Sequence, residues 1–88
     1  MAVHSGSVPL TTSEPTLVYE TPDGVETTLV VQVAETEDNN NTFGDSTVVA
    51  GEGIVLANNS QPLVLTRFTG SLFGIGPGTA VFIAADIQ

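Results

Sequence analysis

Few side chains in this sequence could carry out catalysis. The 88 residues include no Cys and one basic residue, Arg67, and the only His is His4. A Ser or Thr nucleophile needs a general base to remove its proton, so His4 would have to be that base. His4 lies among small residues in a terminus that we expect to be mobile. The sequence therefore offers no convincing pair of nucleophile and base.

The acidic residues are the other source of chemistry. Ten Asp and Glu residues could include a carboxylate pair of the glycosidase type, but such a pair works in a deep cleft with aromatic side chains that grip the substrate. The chain has no Trp and a single Tyr, Tyr19, and it is short for such a cleft. We therefore predict that the protein is not an enzyme.

The acidic stretch from Glu35 to Asp45 has enough oxygen ligands to suggest Ca²⁺. If Asp38 began an EF-hand loop, however, Phe43 would stand where that loop needs Gly, and no Glu follows at the twelfth position. We read the stretch as a solvated loop and predict neither a metal nor a cofactor. Asn40-Asn41-Thr42 and Asn58-Asn59-Ser60 match the N-glycosylation pattern, but we read both as turns because we find no secretion signal.

The glycines do not form a phosphate-binding loop. Gly74-Ile75-Gly76-Pro77-Gly78 departs from the G-x-G-x-x-G pattern and follows a strand without opening a helix, so we read it as a β-turn. Arg67-Phe68 is either an interface hot spot or a core Phe beside a solvated Arg. The positions predicted to contact a protein partner are Val8, Leu10, Arg67, Phe68, Phe73 and Phe82.

Charge excludes several classes of partner. Ten acidic residues against one basic residue give a formal net charge of -9. Nucleic acids are bound by Lys and Arg, which displace counterions from the phosphates, so we expect no nucleic-acid binding. The same deficit disfavours an anionic membrane surface, and the longest apolar runs are too short to cross a bilayer. We expect a soluble domain without a signal or an anchor.

The apolar pattern predicts strands rather than helices. Leu29, Val31 and Val33 recur with the period of two that is typical of a pleated sheet, and turn residues follow every eight to twelve positions. Thr21-Pro22-Asp23-Gly24 predicts a turn between two adjacent antiparallel strands. The predicted strands are residues 7–12, 16–20, 26–34, 46–49, 53–56, 62–66, 71–75 and 79–85. They predict one all-β domain over residues 1–88, a small antiparallel β-sandwich or barrel of about seven or eight short strands.

Four strand segments are apolar on both faces, namely residues 29–34, 63–65, 72–75 and 80–84. One face can fill the core, and the other needs either a second sheet of the domain or another chain. We expect a second copy of the chain to cover part of it, because a chain of this length has a thin core. Residues 1–8 are expected to be either a frayed terminus or an extended arm that becomes ordered on a neighbour.

Several segments together resemble a known family. They are Gly44-Asp45-Ser46-Thr47-Val48, Gly51-Glu52-Gly53-Ile54-Val55-Leu56, Pro62-Leu63-Val64-Leu65, Gly70-Ser71-Leu72-Phe73-Gly74-Ile75 and Thr79-Ala80-Val81-Phe82-Ile83. In this order they resemble the small β-sandwich proteins of tailed bacteriophage virions. Residues 10–19 and 27–33 look like the paired opening strands of those domains. The motifs are turns and apolar alternation rather than reactive groups.

The resemblance implies a capsid decoration or cement protein. Such a protein is a trimer that sits on the outer surface of the virion shell, binds the major capsid protein and stabilises the shell. Two other functions suit the same fold. A head-fibre or tail module would bind the host through a cluster of aromatic side chains, and a cellular adhesion or carbohydrate-binding domain would depend on Ca²⁺ or bind glycans.

Overall fold

The structure, a computed structural model, describes residues 3–33, 40–49, 51–57 and 62–87. These residues form eight strands and no helix, and the strands lie in two antiparallel sheets of four. The prediction of a small all-β sandwich is confirmed. The strands are β1 (Val3–Pro9), β2 (Thr16–Glu20), β3 (Glu26–Val33), β4 (Asn40–Gly44), β5 (Ile54–Ala57), β6 (Leu63–Phe68), β7 (Ser71–Ile75) and β8 (Thr79–Ile87).

The chain crosses between the two sheets repeatedly. One sheet has the order β1-β8-β3-β6 and the other has the order β2-β7-β4-β5. The prediction for Thr21-Pro22-Asp23-Gly24 is therefore wrong in one respect, because this turn joins β2 and β3, which belong to different sheets. Turn chemistry indicates where the chain reverses, but it does not determine whether the flanking strands pair with each other.

The core fills the space between the sheets. In β3, alternate residues from Thr27 to Val33 are buried and their neighbours face outward, as the period of two predicts. Phe43 on β4 lies opposite Gly74 on β7, where an added Cβ would come within 2.9 Å of the Phe43 ring. The core cluster consists of Leu10, Val18, Leu29, Val31, Val33, Phe43, Leu72, Ala80 and Ala84.

The segment around residues 40–49 corrects the sequence interpretation. Residues 40–44, which we read as a turn and part of a solvated loop, form strand β4, and Asn41 and Thr42 are buried there. Residues 46–49 were predicted as a strand but form a turn at residues 46–47 and one isolated bridge between Val49 and Glu52. The sequence did not predict this strand because Asn41 and Thr42 are polar. Their side chains are buried because they accept hydrogen bonds from other parts of the fold. Residues 34–39 and 58–61, which include the Asn58-Asn59-Ser60 pattern and part of the acidic stretch, lie outside the described residues.

Asn41 fixes the connection between β7 and β8. Its side-chain oxygen Oδ1 accepts a hydrogen bond from the Gly78 backbone N–H at 2.8 Å. The neighbouring Gly76 has a φ of 154°, and its N–H donates to the carbonyl of Thr11 at 2.8 Å. The carbonyl of Gly78 in turn accepts from the Leu10 N–H at 3.0 Å. Three separate parts of the chain therefore meet at this end of the sandwich.

The N-terminal segment belongs to the sheet. Residues 3–9 form β1, which pairs with β8 from Val3 opposite Ala85 to Pro9 opposite Thr79 without a register shift. Most side chains of β1 are exposed or half-buried.

Among the described residues, no helix is long and apolar enough to cross a membrane.

Candidate interaction surface

The outward side of the β1-β8-β3-β6 sheet, which we call the outer face, carries a row of apolar side chains. Ile83 lies opposite Val30, and Val30 lies opposite Val64 on its other side. The position beside Ile83 on β1 is Ser5, which is polar. Because directly opposite residues share one face of a sheet, the apolar side chains form a continuous strip across β8, β3 and β6.

The apolar side chains of the outer face are open to solvent. Ile83 is 54% exposed, Val64 is 53% exposed and Val81 is 39% exposed. Val3, at the β1 edge of the same face, is 64% exposed. Isolated exposed apolar residues are common on proteins, but a contiguous strip of β-branched side chains on one sheet face is typical of a contact surface.

The outer face has almost no net charge. Its four strands contain two acidic residues, Glu26 and Asp86, and Asp86 points inward. Glu26 points outward, and its Oε1 lies 2.9 Å from the NH2 nitrogen of Arg67. The sole Lys or Arg side chain of the chain therefore neutralises the one acidic residue on this face. A domain with a net charge of -9 thus presents one side on which another protein meets little electrostatic repulsion.

A β-bulge positions Arg67 for this contact. The register between β3 and β6 shifts between Thr27 and Leu29, and Arg67 adopts a φ of 54°, in the left-handed region. This backbone conformation is unfavourable for a residue with a Cβ by roughly 1 kcal/mol. The bulge brings Arg67 to the outer face beside Glu26 and interrupts the regular ladder near the free edge of β6.

A polar cluster lies behind the outer face, on the inward side of the same sheet. The Thr27 hydroxyl donates to Asp86 Oδ1 at 3.2 Å, and His4 Nε2 lies 3.4 Å from Asp86 Oδ2. The Tyr19 ring lies 6.3 Å from the His4 ring and 5.3 Å from the Phe82 ring, measured between centroids. Burial, and secondarily the negative charge of Asp86, raises the pKa of Tyr19, so this phenol is neutral at physiological pH.

The cluster brings His4 and a carboxylate together, which is two thirds of a hydrolytic triad. The hydroxyl at this site, on Thr27, donates its hydrogen bond to Asp86. In a triad the hydroxyl instead contacts the imidazole, which in turn contacts the carboxylate. The prediction that the protein is not an enzyme stays a prediction.

The other sheet also exposes apolar side chains, since Leu17 on β2 is 42% exposed and Ile54 and Val55 on β5 are 47% and 44% exposed. A shallow cleft of about 710 Å³ lies between the turn at residues 20–24 and Thr69-Gly70, and it contains the carboxylates of Glu20 and Asp23. At the opposite end, the hydroxyl and backbone N–H of Thr47 both donate to Asp45 Oδ1, and they lower the pKa of Asp45. Within the described residues, no group of three or more His, Cys, Asp or Glu side chains could hold a metal ion.

The six residues predicted to contact a partner lie in different parts of the fold. Leu10 is part of the buried core, and Phe68 and Phe82 pack against that core while half-buried. Val8 and Phe73 are half-buried, on β1 and β7. Arg67 is the exposed member, and its side chain is 71% exposed. A partner contact at these six positions stays a prediction.

The outer-face residues Val64, Val81 and Ile83 were not selected from the sequence as contact positions. A signal for them was present, because residues 63–65 and 80–84 are apolar on both faces. The register reveals which alternate residues point away from the core, and the sequence pattern alone does not.

Comparisons of the chain with protein-family models, with curated proteins and with solved structures found no match.

Proposed function

We propose that this protein is a structural adhesive module that binds other protein surfaces through its outer face. The observation that carries the proposal is the row formed by exposed Ile83, half-buried Val30 and exposed Val64, on a side whose only described ion pair, Glu26 with Arg67, is self-neutralising. Burial of such side chains contributes roughly 25 cal/mol per Å² of apolar surface. That gain is the main driving force available to so acidic a domain.

The size of the domain limits the contact it can make. Its two longest extents are 37 and 25 Å, so the rectangle that bounds its broad side has an area of about 900 Å². A standard protein interface buries roughly 800 Å² on each partner. A contact of that size would therefore use most of one side of the sandwich.

The resemblance to small virion β-sandwich proteins suggests which protein surfaces this module binds. We propose that the protein is a capsid decoration or cement protein, a trimer on the outer surface of a tailed bacteriophage shell. Its partners are then the major capsid protein and other copies of itself. Support from the residues is the apolar face with almost no net charge, which suits a protein that stabilises a shell by adhering to it.

Binding to undecorated shells tests this function. The purified protein should co-sediment with the shells and raise the temperature at which they come apart. Ile83→Asp should weaken binding by about tenfold or more, because a carboxylate enters the apolar strip. Ser13→Asp is the matched control, since it adds the same charge at an exposed position in the loop between β1 and β2.

Two results would contradict the proposal. Equal binding by Ile83→Asp and Ser13→Asp would show that the outer face is not the contact surface. Absence of any co-sedimentation by the unmodified protein would remove the capsid function itself. Circular dichroism of both variants establishes that they retain the fold before binding is compared.

A further inference from the structure

The turn between β2 and β3 contains an Asp followed by a Gly, a pair that has no part in the proposed contact surface. Asp23 and Gly24 form this turn, and both are exposed. Gly24 has a φ of 75°, and no described atom lies within 4 Å of the place where its Cβ would be. The N–H of Val25 closes the turn by donating to the Pro22 carbonyl at 3.0 Å. The backbone of Gly24 is thus unobstructed on its Cβ side.

An exposed Asp-Gly pair can rearrange without an enzyme. The backbone nitrogen of the second residue attacks the carboxyl carbon of the Asp side chain, and a side chain on that second residue hinders the approach. Gly has no Cβ, so its nitrogen is the least hindered and its backbone rotates most freely. A turn at the surface also permits the local opening that brings the two atoms together. Asp23 and Gly24 combine these conditions.

We propose that Asp23 is a site of spontaneous isomerisation, at which the main chain comes to pass through the Asp23 side chain as isoaspartate. In the first step the Gly24 nitrogen bonds to Cγ of the protonated Asp23 carboxyl. The nitrogen loses its proton and the carboxyl loses its hydroxyl group, so one water leaves and a succinimide ring remains. In the second step a solvent water adds to the main-chain carbonyl carbon of Asp23, and the bond from that carbon to the Gly24 nitrogen breaks.

The product of this rearrangement is an isomer of the chain. One water leaves and one water enters, so the mass is unchanged, and the reaction neither oxidises nor reduces the chain. The side-chain carboxylate of Asp23 is replaced by a free α-carboxylate, so the net charge is also unchanged. The main chain becomes longer by one carbon atom within the turn.

The other described aspartates lack this combination of features. Asp45 is exposed, but Ser46 follows it, and the N–H and hydroxyl of Thr47 donate to its Oδ1 at 2.9 and 2.7 Å. These hydrogen bonds orient the carboxylate and lower the pKa of Asp45, so its reactive protonated form is rarer. Asp86 is 5% exposed, precedes Ile87 and lies in the ladder between β3 and β8, which fixes its backbone. Isomerisation should therefore be selective for Asp23.

The connection that contains Asp23 is anchored on both sides. Before it, the N–H of Thr21 donates to the Gly70 carbonyl at 2.9 Å, and the Thr21 hydroxyl accepts from the Gly70 N–H at 2.8 Å. After it, Glu26 begins β3 and pairs with Arg67. The additional carbon atom thus enters between two fixed points, where the chain passes from one sheet to the other.

Peptide mapping of aged protein tests the proposal. The folded chain is incubated at neutral pH and body temperature for several weeks and is then cut after Glu, which releases residues 21–26 because Glu20 and Glu26 flank the turn. Isoaspartate should give a second form of this peptide with the same mass and a different retention time. Fragmentation by electron transfer assigns the position in every Asp-containing peptide. We expect about tenfold more isoaspartate at Asp23 than at Asp45 or Asp86.

Two variants are the matched controls. Asp23→Glu keeps the charge, but its longer side chain would have to form a larger and less favourable ring, so the second form of the peptide should be lost. Gly24→Asn adds a Cβ next to the reacting nitrogen while Asn still tolerates a positive φ, so isoaspartate at Asp23 should form about tenfold more slowly.

The same incubation in urea separates the effect of the fold from that of the sequence. Asp45 should form more isoaspartate in the unfolded chain than in the folded chain, because its hydrogen bonds to Thr47 are lost. No second form of the 21–26 peptide, or equal isoaspartate at Asp23 and Asp45 in the folded protein, would overturn the proposal. An equal rate in Gly24→Asn would overturn it as well. The measurement requires no partner, so its result is independent of the proposed adhesive function.

Discussion

At the scale of single residues, glycine positions show where the fold tolerates no side chain. A Cβ on Gly76 would overlap Asn41 Oδ1, and the backbone there has a φ of 154°. Gly24 also has a positive φ, of 75°, but nothing lies within 4 Å of the place its Cβ would occupy. A side chain at Gly24 would therefore cause backbone strain alone. A side chain at Gly76 would also collide with the buried Asn41.

Gly76→Ala should destabilise the protein much more than Gly24→Ala. We expect a loss of about 1 kcal/mol in the free energy of unfolding for Gly24→Ala, from backbone strain alone. Gly76→Ala should cost about 3 kcal/mol, because the methyl group also displaces Asn41 from its hydrogen bond to Gly78. Urea denaturation followed by circular dichroism measures both values. Equal losses in the two variants would contradict the role given to Asn41.

At the scale of strands, the bulge in β6 determines the orientation of Arg67. The residue has a left-handed conformation, φ 54°, that Gly or Asn adopts at lower cost, and its side chain pairs with Glu26 at 2.9 Å. An exposed ion pair stabilises a fold by roughly 0 to 1 kcal/mol. Backbone strain and the ion pair are thus opposing effects of similar size.

Substitutions at Arg67 should therefore depend on backbone preference. Arg67→Gly relieves the strain while it removes the ion pair, so the free energy of unfolding should change by less than about 1 kcal/mol. Arg67→Val keeps a Cβ, adds a branch and loses the pair, so it should destabilise by about 1 to 2 kcal/mol. Thermal unfolding of the two variants in parallel gives the comparison. A larger loss for Gly than for Val would show that the bulge is not strained.

The strands also show how far the sequence predicts the fold. The bounds of β2 and β7 match the predicted residues 16–20 and 71–75, because apolar alternation and clear turn residues define them. β4 was missed because Asn40, Asn41 and Thr42 are turn formers by type. Asn41 is nevertheless buried, since its acceptor is used by Gly78, which is 37 residues away in the chain. Such a partner is visible only after the sheets have assembled.

The candidate surface was predictable in outline only. Strands that are apolar on both faces indicated that some apolar side chains would be exposed on one side of a sheet. Val64 and Ile83 are exposed in this way. Which alternate residues point outward depends on register, and the bulge at β6 changes that register locally. The neutral character of the face also depends on Glu26 and Arg67, which are 41 positions apart in the chain.

At the scale of the whole molecule, net charge and the apolar face act in opposite directions. A formal charge of -9 repels other copies at long range, whereas Ile83 and its neighbours favour contact at short range. Salt screens the repulsion over a distance of about 10 Å at 0.1 M but leaves apolar burial intact. Self-association should therefore increase with ionic strength.

Light scattering at micromolar protein concentration tests this balance. We expect the average mass to rise toward that of a trimer as NaCl increases from about 20 to about 500 mM, because the Debye length falls. Ile83→Asp should remain monomeric at both salt concentrations, whereas Ser13→Asp should follow the unmodified protein. A monomer at every salt concentration would contradict the proposed self-association.

The pairing of β1 with β8 has a mechanical consequence. Because the two strands run antiparallel with Val3 opposite Ala85, both ends of the described domain emerge at the same end of that ladder. Tension applied through the two ends would load the backbone hydrogen bonds between β1 and β8 one after another, from Val3 toward Pro9, so that they break in sequence. A pull along the strand axis from opposite ends of the ladder would load these bonds together, so the pairing resists shear of β1 against β8 better than separation from their shared end.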